Sequence, residues 1–152
     1  MDDIDVKILK CLRLNARENA SVISEKVNMS VSAVIERIRK LETTGLITRH
    51  TTIINSAKAG KDVTAFIEVS LEHPKFMEKF NTFVLENREI LECNYITGDF
   101  DFILKVVTDN TQSLERLLNA VKSVSGVQNT KTIVILSTLK NEHSIDPDEL
   151  LK

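Results

Sequence analysis

The spacing of apolar residues changes near Gly45, and this change constrains the fold more than any other feature of the sequence. Before Gly45, apolar residues recur every three or four positions, which is the period of an amphipathic α-helix. After Gly45, β-branched residues alternate with polar ones in short stretches, which is typical of strands with one buried face. A chain of 152 residues, 42% of them hydrophobic, can fill one domain or two small ones. The pattern therefore predicts an α+β protein whose helical part precedes its sheet.

Three helices are predicted in the first part of the chain. An apolar stripe runs along residues 3–15. Residues 21–27 form a short second helix, capped by Ser21 and ended by Asn28, which tolerates the left-handed conformation. Ser30 is the predicted N-cap of the third helix. The predicted buried face of that helix consists of Val31, Val34, Ile35, Ile38 and Leu41.

The second and third helices have the arrangement of a helix-turn-helix, whose second helix enters the major groove of double-stranded DNA. Between residues 26 and 49, five basic residues stand against two acidic ones, and such a local excess attracts phosphate. Helical geometry predicts two sets of DNA contacts. The predicted major-groove residues are Ser30, Ser32, Ala33, Glu36 and Arg37, and the predicted phosphate contacts are Arg39, Lys40 and Arg49. A solvated helix in a three-helix bundle is the alternative interpretation.

The residues after Gly45 predict a strand and then a domain boundary. Leu46–Asn55 alternates and is rich in threonine and isoleucine, which indicates a strand. The small residues that follow favour a flexible joint. The predicted division is a helix-turn-helix domain over 1–52, a linker over 53–61, and a second domain over 62–152.

The second domain reads as strand, helix, two strands, helix and strand. This βαββαβ order predicts a ferredoxin-like (ACT-like) fold, in which two helices cover one face of a four-stranded antiparallel sheet. The other face would then need a partner subunit to cover it. The predicted strands are 62–72, 90–97, 100–108 and 127–139, and the predicted helices are 75–87 and 112–124.

Several classes of protein are disfavoured by what the sequence lacks. Its two cysteines, Cys11 and Cys93, stand apart, so neither a disulfide framework nor a metal site is expected. We find no catalytic motif and expect no cofactor and no enzymatic activity. Apolar runs are too short for a membrane span, and the acidic start does not resemble a secretory signal, so we expect a cytoplasmic protein.

The sequence around Gly98 has two interpretations. Gly-Asp is a common pair in tight turns, so the first interpretation of Gly98-Asp99 is an ordinary hairpin turn. Alternatively, backbone N–H groups near Gly98 bind a carboxylate while Asp99 or Asp101 pairs with an ammonium group. Both interpretations can hold together.

Two runs of residues resemble one protein family. The first is Ser30-x-Ser32-x-Val34-x-x-Arg37-Ile38-x-x-Leu41-Glu42-x-x-Gly45-x-Ile47, which resembles the recognition-helix signature of the Lrp/AsnC (leucine-responsive, asparagine-regulator) family. The second is Tyr95-x-Thr97-Gly98-Asp99-Phe100-Asp101-Phe102, which resembles the family's ligand-sensing loop. The resemblance covers nearly the whole chain, although Asn28 stands where the family usually has glycine.

The resemblance implies a sequence-specific DNA-binding transcriptional regulator whose activity an amino acid or related small molecule modulates. It also implies a winged helix-turn-helix, a homodimer, and assembly of dimers into tetramers or octamers. The effector site would comprise Thr97, Gly98, Asp99, Phe100 and Asp101, completed by Ser137 and Thr138 or by a neighbouring chain. The alternative is a ligand-binding regulatory subunit that does not bind DNA, and an enzyme on the ferredoxin-like fold is a third hypothesis.

Overall fold

A computed structural model describes residues 1–151, and the chain divides into two compact units. The first unit comprises Met1–Ile53 together with the segment that starts at Lys140, and the second is Ile54–Leu139. This division differs from the predicted one, which assigned residues 62–152 to the second domain. No helix within residues 1–151 is long and apolar enough to cross a membrane.

Three helices form the first unit, as the apolar spacing predicts: α1 (Asp3–Leu14), α2 (Ala20–Val27) and α3 (Val31–Thr43). The turn between α2 and α3 passes through Asn28, whose φ of 54° is left-handed, as expected. Ser30 caps α3, because its hydroxyl accepts a hydrogen bond from the backbone of Ala33 at 3.2 Å. The buried residues that hold the three helices together are Ile8, Ile23, Val27, Val34 and Leu41.

Two predictions for this unit need correction. The second helix begins at Ala20, so its N-cap position is Asn19 rather than Ser21. The predicted strand Leu46–Asn55, and the wing that it would supply, does not form within the described chain. A strand needs a hydrogen-bonded neighbour, and no segment of the described chain forms a ladder with these residues.

The C-terminal segment groups with the first unit, and its acidic side chains pair with basic residues of α1. Lys10 Nζ lies 2.6 Å from Asp148, and Arg13 lies 3.0 Å from Glu142 and 3.5 Å from Asp146. A 3-10 helix, Pro147–Leu151, follows in this segment. The sequence division missed this packing because the charges that pair are more than 120 residues apart in the chain.

The second unit has the predicted βαββαβ order. Its elements are β1 (Val63–Leu71), α4 (Met77–Glu86), β2 (Ile90–Tyr95), β3 (Phe102–Thr108), α5 (Thr111–Lys122) and β4 (Val127–Val134). The strands lie in the order β2-β3-β1-β4, and every neighbouring pair is antiparallel. The last strand therefore ends at Val134 and not at Leu139 as predicted, and β3 starts two residues later than predicted.

Both helices of this unit pack on one face of the sheet. Alternate residues of β1 and β3, such as Ala65, Ile67 and Leu104, are fully buried together with Phe80 of α4 and Leu117 of α5. The other face is mixed rather than apolar, since Glu68 of β1 pairs with Lys131 of β4 at 3.1 Å. This face therefore differs from the apolar, partner-covered face that the sequence predicts.

Candidate nucleic-acid interface and effector site

The outer face of α3 is polar, basic and open to solvent. Val34 and Leu41 are buried on the inner side of the helix, and residues on the opposite side of the helical wheel are exposed. Ser30, at the N-terminal tip, is exposed as well, so the first turn presents small side chains. The predicted DNA-contacting residues that this face exposes are Ser32, Glu36, Arg39 and Lys40, with Ala33 half-buried at its edge.

Two residues of the predicted buried face of α3 are exposed. Val31 is 42% exposed and Ile35 is 54% exposed. Ile35 lies about 100° around the helix from Val34, so the narrow contact with α1 and α2 does not reach it. The predicted stripe was too wide, because Val34, Ile38 and Leu41 alone fill that contact.

The guanidinium of Arg37 is bound to the start of α1. Its Nη1 atom lies 2.9 and 2.8 Å from the two carboxylate oxygens of Asp2 and 2.7 Å from Asp5 Oδ1. Both acids also cap α1, since Asp2 accepts the backbone N–H groups of Ile4 and Asp5, and Asp5 accepts that of Asp2. Arg37 therefore links the first turn of α1 to the middle of α3.

These contacts shift the acid-base equilibria of the cluster. Hydrogen bonds from the backbone of Asp5 and from Arg37 lower the pKa of Asp2 below its ordinary value of 3.8. The bonds to Asp5 and Asp2 raise the pKa of Arg37. A lowered carboxylate pKa means that this stabilisation is present above about pH 3.8 and is lost as the pH falls through the pKa of the folded state.

The other basic residues of the predicted interface have no such partners. Within residues 1–151, no acidic group forms an ion pair with Arg39, Lys40 or Arg49, and all three side chains are exposed. His50, next to Arg49, contacts Glu42 at 3.0 Å instead. An exposed cation that has no internal partner is available to a phosphate group, whereas Arg37 is already neutralised.

The loop between β2 and β3 is fixed at both ends by Asp101. The carbonyl oxygen of Asp101 accepts the N–H of Ile96 at 2.8 Å, and its own N–H donates to Val69 at 3.0 Å. Its carboxylate accepts the N–H of Leu71 at 2.7 Å. One oxygen of this carboxylate is therefore engaged in holding the loop against β1.

Between these anchors the backbone is open. Gly98 has a φ of +119°, which disfavours any other residue, and Thr97 and Asp99 on either side are exposed. In the described part of the chain, the N–H groups of residues 97–100 have no hydrogen-bond partner. Phe100 is half-buried at the end of the loop. The loop therefore offers backbone donors beside the Asp99 carboxylate. Such donors can bind the carboxylate of a ligand while Asp99 pairs with an ammonium group of the same ligand.

The other half of the predicted effector site lies elsewhere in the fold. Ser137 and Thr138 follow β4, which leaves the sheet where Ile135 bonds to Thr64 at 2.9 Å. The 97–101 loop leaves the sheet beside Val69, at the other end of β1. Five residues of strand separate the two points, roughly 17 Å at about 3.3 Å per residue. The structure thus does not bring Ser137 and Thr138 together with the loop within one chain.

Sequence reasoning missed one polar residue beside the loop. Ser70 lies between Val69 and Leu71, the two residues of β1 that bond to Asp101. Its hydroxyl oxygen is buried and has no hydrogen-bond partner in the described chain. The alternation of β1 places Ser70 on the face of the sheet opposite the helices, and this pattern could have identified the residue from the sequence.

Comparison with known protein families gives two matches that together span most of the chain. The AsnC-type helix-turn-helix domain matches residues 1–42, and the Lrp/AsnC ligand binding domain matches residues 64–145. The two matches therefore fall on α1–α3 and on the βαββαβ unit.

Individual proteins show the same similarity over nearly their whole length. The leucine-responsive regulatory protein of Escherichia coli (strain K12) is 31% identical over 148 residues, which cover 95% of this chain and 90% of that protein. The proline dehydrogenase transcriptional activator of Rhizobium radiobacter is 34% identical, covering 92% of each chain. The crystal structure of a transcriptional regulator–L-Met complex from Neisseria meningitidis superposes with a TM-score of 0.94, at 27% identity and 99% coverage of both chains.

Proposed function

Because the chain belongs to the Lrp/AsnC family of transcriptional regulators, we propose that it binds DNA through the outer face of α3 in response to an amino acid. The family is shown by the two domain matches. The observation that carries the DNA part is the contrast between basic residues on α3. Arg39 and Lys40 are exposed and unpaired within residues 1–151, while Arg37 is engaged by two acids. The match of residues 1–42 to an AsnC-type helix-turn-helix domain favours DNA binding over a regulatory subunit without DNA binding.

The residues of the interface take two roles in this proposal. Small side chains at the tip of α3 let the helix approach the base edges, where Glu36 can accept a hydrogen bond from cytosine. Basic side chains further along and after the helix contact phosphates and set overall affinity. The base-facing residues are Ser30, Ser32, Ala33 and Glu36, and the phosphate contacts are Arg39, Lys40 and Arg49.

The proposed effector is a free amino acid or a close relative. Its carboxylate binds the unoccupied N–H groups of residues 97–100, and its ammonium group pairs with Asp99. Asp101 holds the loop in position, because its carboxylate is already bonded to Leu71. The Neisseria meningitidis structure, whose protein has L-Met bound, supports this class of ligand.

A second copy of the chain completes the assembly in this proposal. Ser137 and Thr138 lie at the far end of the sheet in their own chain, so their contribution to the effector site comes from another copy. Leu136 and Leu139 beside them are fully exposed, and Leu46–Asn55, which forms no ladder within residues 1–151, is available to pair with the partner. We therefore expect at least a dimer, and family resemblance supports assembly into tetramers or octamers. In this proposal the protein is a regulator that acts in the cytoplasm and catalyses no reaction.

The effector proposal is tested by thermal unfolding of the protein in each of the twenty amino acids. At 100 times its Kd, a ligand that binds only the folded state adds about 2.7 kcal/mol to the free energy of unfolding. We expect one chemical class of amino acid to raise the Tm and to change the mobility shift of the gene's own upstream DNA.

Calorimetry then compares Asp99→Asn with Glu86→Gln, which removes an exposed carboxylate from the end of α4. Asp99→Asn should weaken binding of the effector by about tenfold or more, since a charge-assisted contact contributes about 1.5 to 3 kcal/mol. Glu86→Gln should bind as the wild type does. Equal binding by Asp99→Asn, or no response to any amino acid, would contradict the proposed site.

A further inference from the structure

Two exposed apolar side chains stand on the proposed DNA-binding face of α3. Val31 and Ile35 occupy the first two turns, at the end of the helix that would enter the groove. Ile35 is three residues from Ser32 and four from Arg39, so its side chain is adjacent to both on the helix surface. Neither Val31 nor Ile35 belongs to the buried cluster of the three helices.

The charges around this apolar pair indicate what covers it. Arg39 and Lys40 carry positive charge with no ion-pair partner in the described chain, and they are on the same helix within one and a half turns of Ile35. An uncharged apolar surface of another protein would cover Ile35 but would offer these two cations no partner of opposite charge. The phosphates that border the major groove would neutralise them.

The major groove carries one apolar group, the C5-methyl of thymine. We propose that Ile35, with Val31, contacts thymine methyl groups and so selects for thymine at those positions of the binding site. This inference rests on the proposed DNA-binding function. It adds apolar contacts to an interface whose other base-facing residues are small or polar.

The test removes the methyl groups from the DNA. The region upstream of the gene is amplified once with dTTP and once with dUTP, so that the two duplexes differ only in the C5-methyl groups. Loss of each contacted methyl should weaken binding of the wild type by about fourfold, the value of one buried CH₂ group. The ratio of the affinity for the thymine duplex to the affinity for the uracil duplex should be smaller in Ile35→Ser than in the wild type. In Val31→Ser/Ile35→Ser this ratio should approach one.

Two controls separate the possible results. Leu14→Ser removes an 89% exposed leucine from the end of α1 and should keep the wild-type ratio, and Tm values confirm that each variant is folded. If the wild type binds both duplexes equally, or if Ile35→Ser keeps the wild-type ratio, the thymine inference is overturned while DNA binding stands. If the wild type binds neither duplex, the proposed function itself has failed.

Discussion

Replacing Arg39 and Lys40 together by alanine is expected to lower the affinity of the protein for DNA by about tenfold to a hundredfold, since each phosphate contact adds to a dominant electrostatic attraction. Both side chains are exposed on α3 and form no ion pair within residues 1–151. Stability should hardly change, because nothing in the described fold depends on either charge. Mobility shifts at a series of salt concentrations measure the effect.

The salt dependence identifies the cause. Each phosphate contact contributes about 0.9 to the slope of log affinity against log salt, so the slope should fall by about 1.8 per bound chain. The matched control is Lys79→Ala/Arg88→Ala, which removes two exposed basic residues of the second unit that form no ion pair within residues 1–151 and changes net charge equally. If this control lost as much affinity as Arg39→Ala/Lys40→Ala, general charge rather than α3 would be responsible.

Arg37→Ala is also expected to weaken DNA binding, but through the position of α3 and not through a lost phosphate contact. Arg37 Nη1 is held by Asp2 and Asp5 at 2.7 to 2.9 Å, so the side chain fixes α3 against the start of α1. We expect a Tm lower by about 2–4 °C, as a modest loss of stability produces in a chain of this size, with a salt slope close to that of the wild type.

Asp5→Asn distinguishes a positioning role of Arg37 from a direct DNA contact, because the two roles predict opposite changes in DNA affinity. It removes one negative charge and loosens the link, so a positioning role predicts weaker DNA binding, as in Arg37→Ala. A direct DNA contact by Arg37 predicts equal or stronger binding, since the arginine would be freed and a repulsive acid removed. The control is Glu92→Gln, which removes a negative charge from the 3.0 Å ion pair with Lys105 in the second unit and should leave DNA binding unchanged.

The helices and strands could be predicted because each follows from a local pattern. Ser30 caps α3, Asn28 turns left-handed, and alternate residues of β1 are buried as their spacing indicates. The sequence of α3 could not show which flank of its apolar stripe remains open. Arg37 and Ile35 sit on opposite flanks, and only the positions of α1 and α2 decide that Arg37 is paired and Ile35 exposed.

The remaining differences arise from interactions between distant segments. Leu46–Asn55 has the composition of a strand, but a ladder needs a neighbour that composition does not supply. The sequence prediction assigns the residues after Lys140 to the second domain, because the sequence alone does not place their acidic side chains beside Lys10 and Arg13 of α1. Likewise, Ser137 and Thr138 lie at the opposite end of the sheet from Gly98. The reason is that β1 is antiparallel to both β3 and β4, so β3 begins at one end of β1 and β4 finishes at the other.

Dimethyl sulfate protection tests most directly whether α3 binds in the major groove, because the reagent methylates guanine N7 in that groove and adenine N3 in the minor groove. The protein is bound to the DNA upstream of its own gene, and methylation is compared with that of free DNA. We expect protection of guanine N7 in patches about 10 base pairs, or a multiple of that, apart, as two copies of α3 would require. Protection of adenine N3 alone, or no protection at any salt concentration, would contradict this account.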